Sequence, residues 1–217
     1  IYKPGALKGF KLGGHASAFG ASTSTGAGIK YVGDNGFAVS TTINSKKAAT
    51  GGEGLLTNED QNKFNTQVAY TTDNYHASVT YSRQKSWNSW SYYSTNDMVS
   101  GVDGAGVNSD SYALRAWWRP SETGTATPSI SVGYDTMTFS GHTDVKEGSG
   151  YFVGLNWADM FQADDKVGFA FGQPMKATKA EAGTTLTEVD PFLWEVYYSF
   201  RPTDSLEVTP AVFGGTD

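Results

Sequence analysis

The fold is indicated most clearly by eight consecutive residues in the first half of the chain, Tyr75-His76-Ala77-Ser78-Val79-Thr80-Tyr81-Ser82. Every second residue is apolar or aromatic, and the residues between them are polar. Successive side chains of a β-strand point to opposite faces, so this stretch would have one apolar face and one polar face. Alternation with a period of two predicts a strand rather than a helix.

The same alternation recurs along the chain in short segments bounded by Gly, Asn, Asp, Ser and Pro, which are typical strand boundaries. Helix signals are poor by comparison. The sequence therefore predicts an all-β protein. The predicted strands cover residues 7–20, 26–32, 37–45, 64–72, 75–84, 111–119, 128–139, 150–158, 166–173, 191–200 and 206–213.

The connections between these strands tend to alternate between short and long. Bacterial outer-membrane barrels show this asymmetry, with short periplasmic turns and long external loops. The connections 120–127 and 140–149 differ little in length and fit the pattern least well. The pattern favours a transmembrane antiparallel up-and-down β-barrel. The alternative is a soluble antiparallel sheet that packs its apolar face into a core.

Two groups of residues favour the barrel over the soluble sheet. Aromatic residues concentrate near strand ends, as the girdles at membrane interfaces require: Tyr70, Tyr75, Trp117, Trp118, Trp157, Trp194, Tyr197 and Tyr198. Small residues recur on the predicted polar faces, which would leave room for water in a lumen: Gly13, Ser17, Ser40, Ala69, Ser78, Gly133, Gly154, Gly168 and Gly172.

Composition narrows the possible functions. The 217 residues fit one domain, and the absence of cysteine excludes disulfides and thiolate metal sites. A net charge of −6 argues against nucleic acid as a partner. No run of about 18 apolar residues predicts a transmembrane helix. The first residues lack the apolar core of a signal peptide, so we expect that a signal was removed or not included.

Catalytic and metal-binding motifs are not found in the sequence. His15, His76 and His142 do not have metal-ligand spacing, and no nucleophile elbow or phosphate-binding loop follows a predicted strand. We therefore expect no enzymatic activity, no cofactor and no metal. An outer-membrane enzyme would need a Ser/His/acid set at one rim, where His142 is the only loop histidine.

Charged residues on the predicted polar faces would line the lumen of a barrel and influence which ions enter it. Both signs occur, so the sequence predicts no ion preference. The candidates are Lys11, Lys30, His76, Arg115, Arg119, Asp135, Glu195 and Glu207.

One long connection is rich in aromatic residues, with Trp87, Trp90 and Tyr92 as candidate contacts. Such side chains can stack on sugar rings. The same segment could instead fold into the lumen or pack on a neighbouring subunit. A soluble or surface-exposed β-sandwich that binds glycans through this segment is therefore the alternative function.

The C-terminal part of the chain resembles a known family. The segments that carry the resemblance are Lys166-Val167-Gly168-Phe169-Ala170-Phe171-Gly172-Gln173-Pro174, then Phe192-Leu193-Trp194-Glu195-Val196-Tyr197-Tyr198-Ser199-Phe200, then Thr203-Asp204-Ser205-Leu206-Glu207-Val208-Thr209-Pro210. This order is similar to the OprB-type carbohydrate-selective porin family, and especially to its cyanobacterial branch. Residues 64–84 and 149–161 fit the same style only loosely.

The resemblance implies a barrel of about sixteen strands in the cell outer membrane, usually a homotrimer, that passes inorganic ions, sugars and other small hydrophilic solutes by diffusion. It implies contact with the lipid bilayer and lipopolysaccharide, and with peptidoglycan through an N-terminal region outside this chain. About eleven predicted strands, and the lack of a terminal aromatic strand, suggest that residues 1–217 are part of one porin domain.

Overall fold

The computed structural model describes residues 24–54, 57, 61–86, 106–141, 143–187 and 190–216. These residues contain no helix that could cross a membrane. They form β1 (Thr25–Val32), β2 (Phe37–Ser45), β3 (Asn62–Thr71), β4 (Tyr75–Lys85), β5 (Asn108–Trp118), β6 (Ser129–Ser140), β7 (Val145–Ala158), β8 (Lys166–Ala180), β9 (Phe192–Thr203), β10 (Leu206–Val208) and β11 (Ala211–Thr216).

The strands form one antiparallel sheet in which neighbours in sequence are neighbours in space, from β1 to β9. Both β10 and β11 pair with β9, one after the other along its length. Pro210 lies between them, and a proline has no backbone N–H for the ladder, which fits an interruption at this point. Together, β10 and β11 act as one interrupted strand, so the sheet has ten passes.

The prediction of an all-β, antiparallel, up-and-down fold is confirmed. The predicted strand 206–213 is divided in two, because the ladder breaks at Pro210. The predicted strand 7–20 lies outside the described residues. Within those residues the strands form a single sheet rather than the two packed sheets that a β-sandwich requires.

The connections lie at two ends of the sheet. We call one the turn end, with connections 33–36, 72–74, 119–128, 159–165 and 204–205, and the other the loop end, with connections 46–61, 86–107, 141–144 and 181–191. The predicted alternation of lengths holds except at β6. There 119–128 is the longer connection and 141–144 the shorter, because β7 already begins at Val145.

The eighth strand continues well beyond its predicted end at Gln173 and reaches Ala180. Pro174 did not end it, because Pro174 lies at an irregularity where the β7–β8 register shifts between Ser149 and Tyr151. A bulge is one of the places where a strand tolerates proline.

Candidate functional site

The two faces of β4 differ in chemistry and in exposure. Ser78, Thr80, Ser82 and Gln84 define what we call the polar face, and all four are buried. Tyr75 and Val79 belong to the opposite, apolar face and are each 48% exposed. A soluble strand would bury the apolar side chains and expose the polar ones.

This inversion extends over the sheet. Among the described residues, fifteen polar or charged residues are buried, against eleven hydrophobic ones. Twenty-four large hydrophobic residues are exposed, and most belong to the apolar face. A contiguous exposed apolar surface of this extent is unusual for a soluble monomer and marks contact with a partner or a membrane.

Aromatic residues on the apolar face form two belts. The turn-end belt contains Phe37, Tyr70, Tyr75, Trp118, Trp157 and Tyr198. The loop-end belt contains Phe64, Tyr81, Tyr112, Tyr134, Tyr151, Phe171 and Trp194. Aliphatic residues lie between the belts, among them Val68, Val79, Leu114, Val132 and Val196.

The spacing between the belts is constant along several strands. Six residues separate Tyr75 from Tyr81 on β4, and six separate Tyr112 from Trp118 on β5. The same separation occurs on β3 and β7. At about 3.3 Å per residue, each strand travels ~20 Å from one belt to the other.

The belts also drift through the strand register. Tyr81 pairs directly with Tyr112, but Tyr134 on β6 pairs with Leu114, two residues nearer the turn end. Phe171 on β8 again pairs two residues nearer the turn end, with Val153. From β3 to β7 both belts drift by about one residue per strand, which places them level when the strands tilt by about 35°, the tilt of closed barrels. From β7 to β9 the turn-end belt stays in register.

Six of the eight aromatic residues singled out in the sequence lie on the apolar face, and two do not. Trp117 and Tyr197 lie on the polar face, because they alternate with Trp118 and Tyr198. The small residues predicted on polar faces do lie there on the described strands, while Gly13 and Ser17 lie outside the described residues.

Hydroxyl and amide side chains cover the polar face from β2 to β5. Gln67 donates to the Thr80 hydroxyl over 2.9 Å, and Asn65 donates to the Thr42 hydroxyl over 3.1 Å. The buried hydroxyls of Ser82 and Ser111 are cross-strand neighbours and have no hydrogen-bond partner in the protein. Burying such a group without a partner is unfavourable, so these two hydroxyls are a local cost to the stability of the sheet.

A buried ion pair lies at the centre of the polar face. The Arg115 guanidinium donates to both carboxylate oxygens of Asp135, over 2.6 and 2.8 Å. It also donates to the backbone carbonyl of Leu114 over 2.7 Å. Asp135 is fully buried and Arg115 nearly so. The two charges neutralise each other against the wall instead of projecting from it.

The polar face becomes apolar at the loop end of β6 to β8. Met137, Phe139, Val145 and Met175 form a buried cluster there with Val107 and Ala177. Leu186, from the connection between β8 and β9, packs against this cluster. That connection therefore lies over the polar side of the sheet at its loop end.

The predicted site residues have different outcomes. Lys30 lies on the polar face in register with Ser40, and is exposed on β1. His76 also lies on the polar face, where its ring stacks on Trp117 at 5.9 Å and bonds to the hydroxyls of Thr71 and Ser78. Arg115, Asp135 and Glu195 lie on this face and are buried.

Two further candidates lie at the turn end of the sheet, and their place in a lumen stays a prediction. Arg119 lies beyond the end of β5, where its side chain donates to the carbonyl of Asp73 at the turn end. Glu207 lies on the short strand β10 at the same end, exposed and 3.5 Å from Arg201. The Arg119 guanidinium lies 5.7 Å from the ring centre of Trp117, a residue of the polar face.

The remaining candidates lie outside the described residues: Lys11, His15, Trp87, Trp90, Tyr92 and His142. Within the part of the chain that is described, no group of three or more His, Asp or Glu could hold a metal ion.

Sequence reasoning missed two polar-face residues. Lys63 is buried on β3, one residue before the predicted start of that strand. Extending the alternation of Asn65 and Gln67 by one step would have found it. Phe152 was missed because an apolar side chain on a polar face gives no signal without knowledge of the register.

Comparisons with known proteins give little further guidance. No family model matches the chain, and no solved structure matches it. An uncharacterized protein of Nostoc sp., alr4550, is 31% identical over 110 residues, which is 51% of this chain and 18% of that protein. The chain thus spans less than a fifth of the length of this relative.

Proposed function

We propose that the chain forms part of the wall of a β-barrel porin in a bacterial outer membrane. The porin passes inorganic ions and small hydrophilic solutes by passive diffusion. The observation that carries this proposal is the inverted sheet, with its polar face buried and its apolar face exposed. Lipid outside and water inside a barrel would reverse the usual preference of the two faces.

The exposed face supports contact with lipid. Exposed apolar side chains are unfavourable in water but suit a hydrocarbon environment. The two aromatic belts lie where the rings would meet the two interfaces, as in known membrane barrels. Their drift through the register matches the strand tilt that a closed barrel needs. Among the described residues β1 and β11 are the edge strands, and in lipid they would pair with further strands, because unpaired backbone groups are costly there.

The polar face supports a water-filled lumen. Its hydroxyls, amides and small residues are chemically compatible with water. The buried charged residues of this face on β3 to β9 are Lys63, Arg115, Asp135 and Glu195, and Lys166 lies exposed on the same face near the turn end. Both signs of charge occur on this face, so it predicts no ion preference.

The resemblance to the OprB-type family supports the same proposal and adds predictions of its own. These include a homotrimer, contact with lipopolysaccharide, and attachment to peptidoglycan through a region outside residues 1–217. The absence of enzymatic activity and of a cofactor also stays a prediction. The Nostoc relative is uncharacterized and adds no information about the solute.

The test is planar-bilayer conductance of the detergent-purified full-length protein in gradients of KCl. Stepwise insertions of stable conductance are the expected result, and the sign of the reversal potential gives the ion selectivity. A folded sample that inserts without conducting would contradict the diffusion mechanism. A folded sample that stays in solution without detergent would contradict the membrane location.

Asp135→Asn sharpens the same measurement. It leaves the Arg115 charge uncompensated on the polar face, so the reversal potential should shift toward anion selectivity. Asp110→Asn is the matched control, because it changes the net charge equally but lies on the apolar face of β5. Equal shifts in both variants, or no shift in either, would show that the polar face does not line the conducting path.

A further inference from the structure

The two arginines at the turn-end half of β5 differ in what compensates their charge. Arg115 is buried and donates to both carboxylate oxygens of Asp135, so its charge is neutralised within the sheet. Arg119, four residues further along the chain, is exposed at the turn end. Among the described residues, no carboxylate forms an ion pair with it. Its charge therefore remains available to a solute at this end of the polar face.

The backbone at Arg119 is fixed by the neighbouring turn 72–74. The Arg119 N–H donates to the carbonyl of Asn74 over 2.8 Å. The Asn74 side chain donates in return to the carbonyl of Arg119 and to the Ser121 hydroxyl, each over 3.2 Å. Three hydrogen bonds thus hold the beginning of the connection 119–128 against this turn.

Two further contacts fix the Arg119 side chain. Its Nε donates to the carbonyl of Asp73. Its guanidinium carbon lies 5.7 Å from the ring centre of Trp117, a distance suited to a cation–π interaction. The Trp117 ring is itself stacked on His76, with ring centres 5.9 Å apart and planes inclined by 6°. The two terminal nitrogens of Arg119 have no hydrogen-bond partner among the described residues.

A cavity of about 150 Å³ adjoins Arg119, between the connection 119–128 and the turn ends of β6 and β7. Thr123, Thr125 and Ser129 line this cavity, and their hydroxyls are hydrogen-bond donors. Glu122 also lines it and is exposed. The surroundings of Arg119 therefore offer neutral donors for an anion, together with one carboxylate that would repel it.

We infer that Arg119 is the anchor of a binding subsite for small oxyanions, that is, for the carboxylate or phosphate group of a solute at the turn-end mouth. The inference rests on the proposed porin function. The planar guanidinium can donate two parallel hydrogen bonds to such a group. Because the side chain is already held in place, ordering it on binding costs little conformational entropy.

The experiment records single-channel currents of the full-length protein in KCl while inorganic phosphate or succinate is added in separate titrations. A saturable reduction of the current is expected, and the half-saturating concentrations show whether phosphate or carboxylate binds more tightly. Arg119→Gln should raise this concentration by about tenfold or more, because two charge-assisted hydrogen bonds are lost. Arg119→Lys keeps the charge but not the planar fork, so it should raise the concentration less.

Three further variants separate the anchor from its surroundings. Glu122→Gln removes the repelling carboxylate and should lower the half-saturating concentration by about two- to fivefold. Asn74→Ala frees the connection without changing the charge, and should raise the concentration less than Arg119→Gln does. Arg201→Gln is the matched control, because it removes a positive charge at the same end from a side chain that lies 3.5 Å from Glu207. It should leave the concentration unchanged.

A purely structural role for Arg119 would give a different result. Equal half-saturating concentrations in the wild type and in folded Arg119→Gln would overturn the inference, and so would an equal effect of Arg201→Gln. If Arg119→Gln does not fold, Glu122→Gln decides, since unchanged or weaker binding there would contradict the subsite. A conducting wild-type channel that responds to neither anion would overturn the inference alone. A wild-type protein that forms no channel would instead contradict the porin function itself.

Discussion

The turn end and the loop end of the sheet hold their connections in different ways. The connection 159–165 between β7 and β8 is organised around one buried carboxylate, Asp165. The connection 181–191 between β8 and β9 is held by the burial of an apolar side chain, Leu186, and by ion pairs at its two ends. The two regions lie at opposite ends of the same strand.

At the turn end, Asp165 accepts hydrogen bonds from the backbone N–H groups of Met160, Phe161 and Gln162, over 2.7 to 3.1 Å. The Tyr198 hydroxyl donates to the same carboxylate over 3.0 Å. Burial acts to raise the pKa of Asp165, but these donors outweigh it and hold the pKa below its usual value.

At the loop end, the ion pairs are exposed to solvent. Lys146 pairs with Glu181, and Lys176 pairs with Asp190. The hydrogen bond from Lys146 is the main cause that lowers the pKa of Glu181. Exposed pairs of this kind contribute little to stability, typically less than about 1 kcal/mol. The packing of Leu186 on its apolar cluster therefore contributes most of the stabilisation of this connection.

The difference shows what a short connection can do that a longer one does not. Seven residues bring three amides close enough to share one carboxylate, so the turn needs little apolar burial. In the described part of the longer connection, residues 181–187 and 190–191, Leu186 provides the contact with the sheet by packing on an apolar cluster. The side chains of the polar face differ between the two regions. They are apolar where Leu186 packs on them, and polar on β2 to β5.

The largest effect is expected from Asp165→Ala. Three backbone donors would lose their acceptor, which should lower the free energy of unfolding by about 2–3 kcal/mol. Urea unfolding of the protein in detergent or lipid measures this. Asp165→Asn, which keeps one acceptor oxygen, should fall between Asp165→Ala and the wild type. A wild-type midpoint for Asp165→Ala would show that the carboxylate does not hold the turn.

Leu186→Ala should have a smaller effect. A fully buried Leu→Ala change costs about 2–5 kcal/mol, and Leu186 is only partly buried, so a loss of ~1–2 kcal/mol is expected. Limited proteolysis should then cut more readily between residues 181 and 187. Leu206→Ala is the control, because Leu206 is 52% exposed. Equal protease resistance in wild type and Leu186→Ala would argue against anchoring by this side chain.

The smallest expected effect is an acid dependence of stability. Asp165 and Glu181 both have a pKa that is lower in the folded protein than in the unfolded chain. Their contribution is therefore present above the unfolded pKa and is lost as the pH falls through the folded pKa, below about pH 4. Stability measured from pH 6 to pH 2 should fall less steeply in Asp165→Asn than in the wild type. An unchanged slope would contradict the assignment of Asp165.

Much of the fold could be predicted because apolar and polar residues alternate along a strand both in a soluble sheet and in a membrane barrel. Nine of the described strands were located from their alternation alone, apart from boundary shifts, since a period of two marks a strand whichever face is buried. The extension of β8 beyond Pro174 was missed, because the sequence does not show where a bulge will accommodate proline.

For the candidate site, the sequence predicted the face on which a residue lies but not the residues that it contacts. Arg115, Asp135 and His76 lie on the polar face as the alternation required. Their contacts were not predictable, because the Arg115–Asp135 pair joins residues twenty positions apart whose meeting depends on register. The hydrogen bond from Arg119 to Asp73 was hidden for the same reason.

The constant spacing of the two aromatic belts has a consequence for where the protein would work. If the belts mark the two interfaces, their separation sets the bilayer thickness that the protein fits best. On four strands the two belts are six residues apart. An apolar span of ~20 Å along a tilted strand is short compared with an average hydrocarbon core of about 30 Å. Hydrophobic mismatch would then favour thin membranes, such as the bacterial outer membrane, and would disfavour insertion into thicker ones.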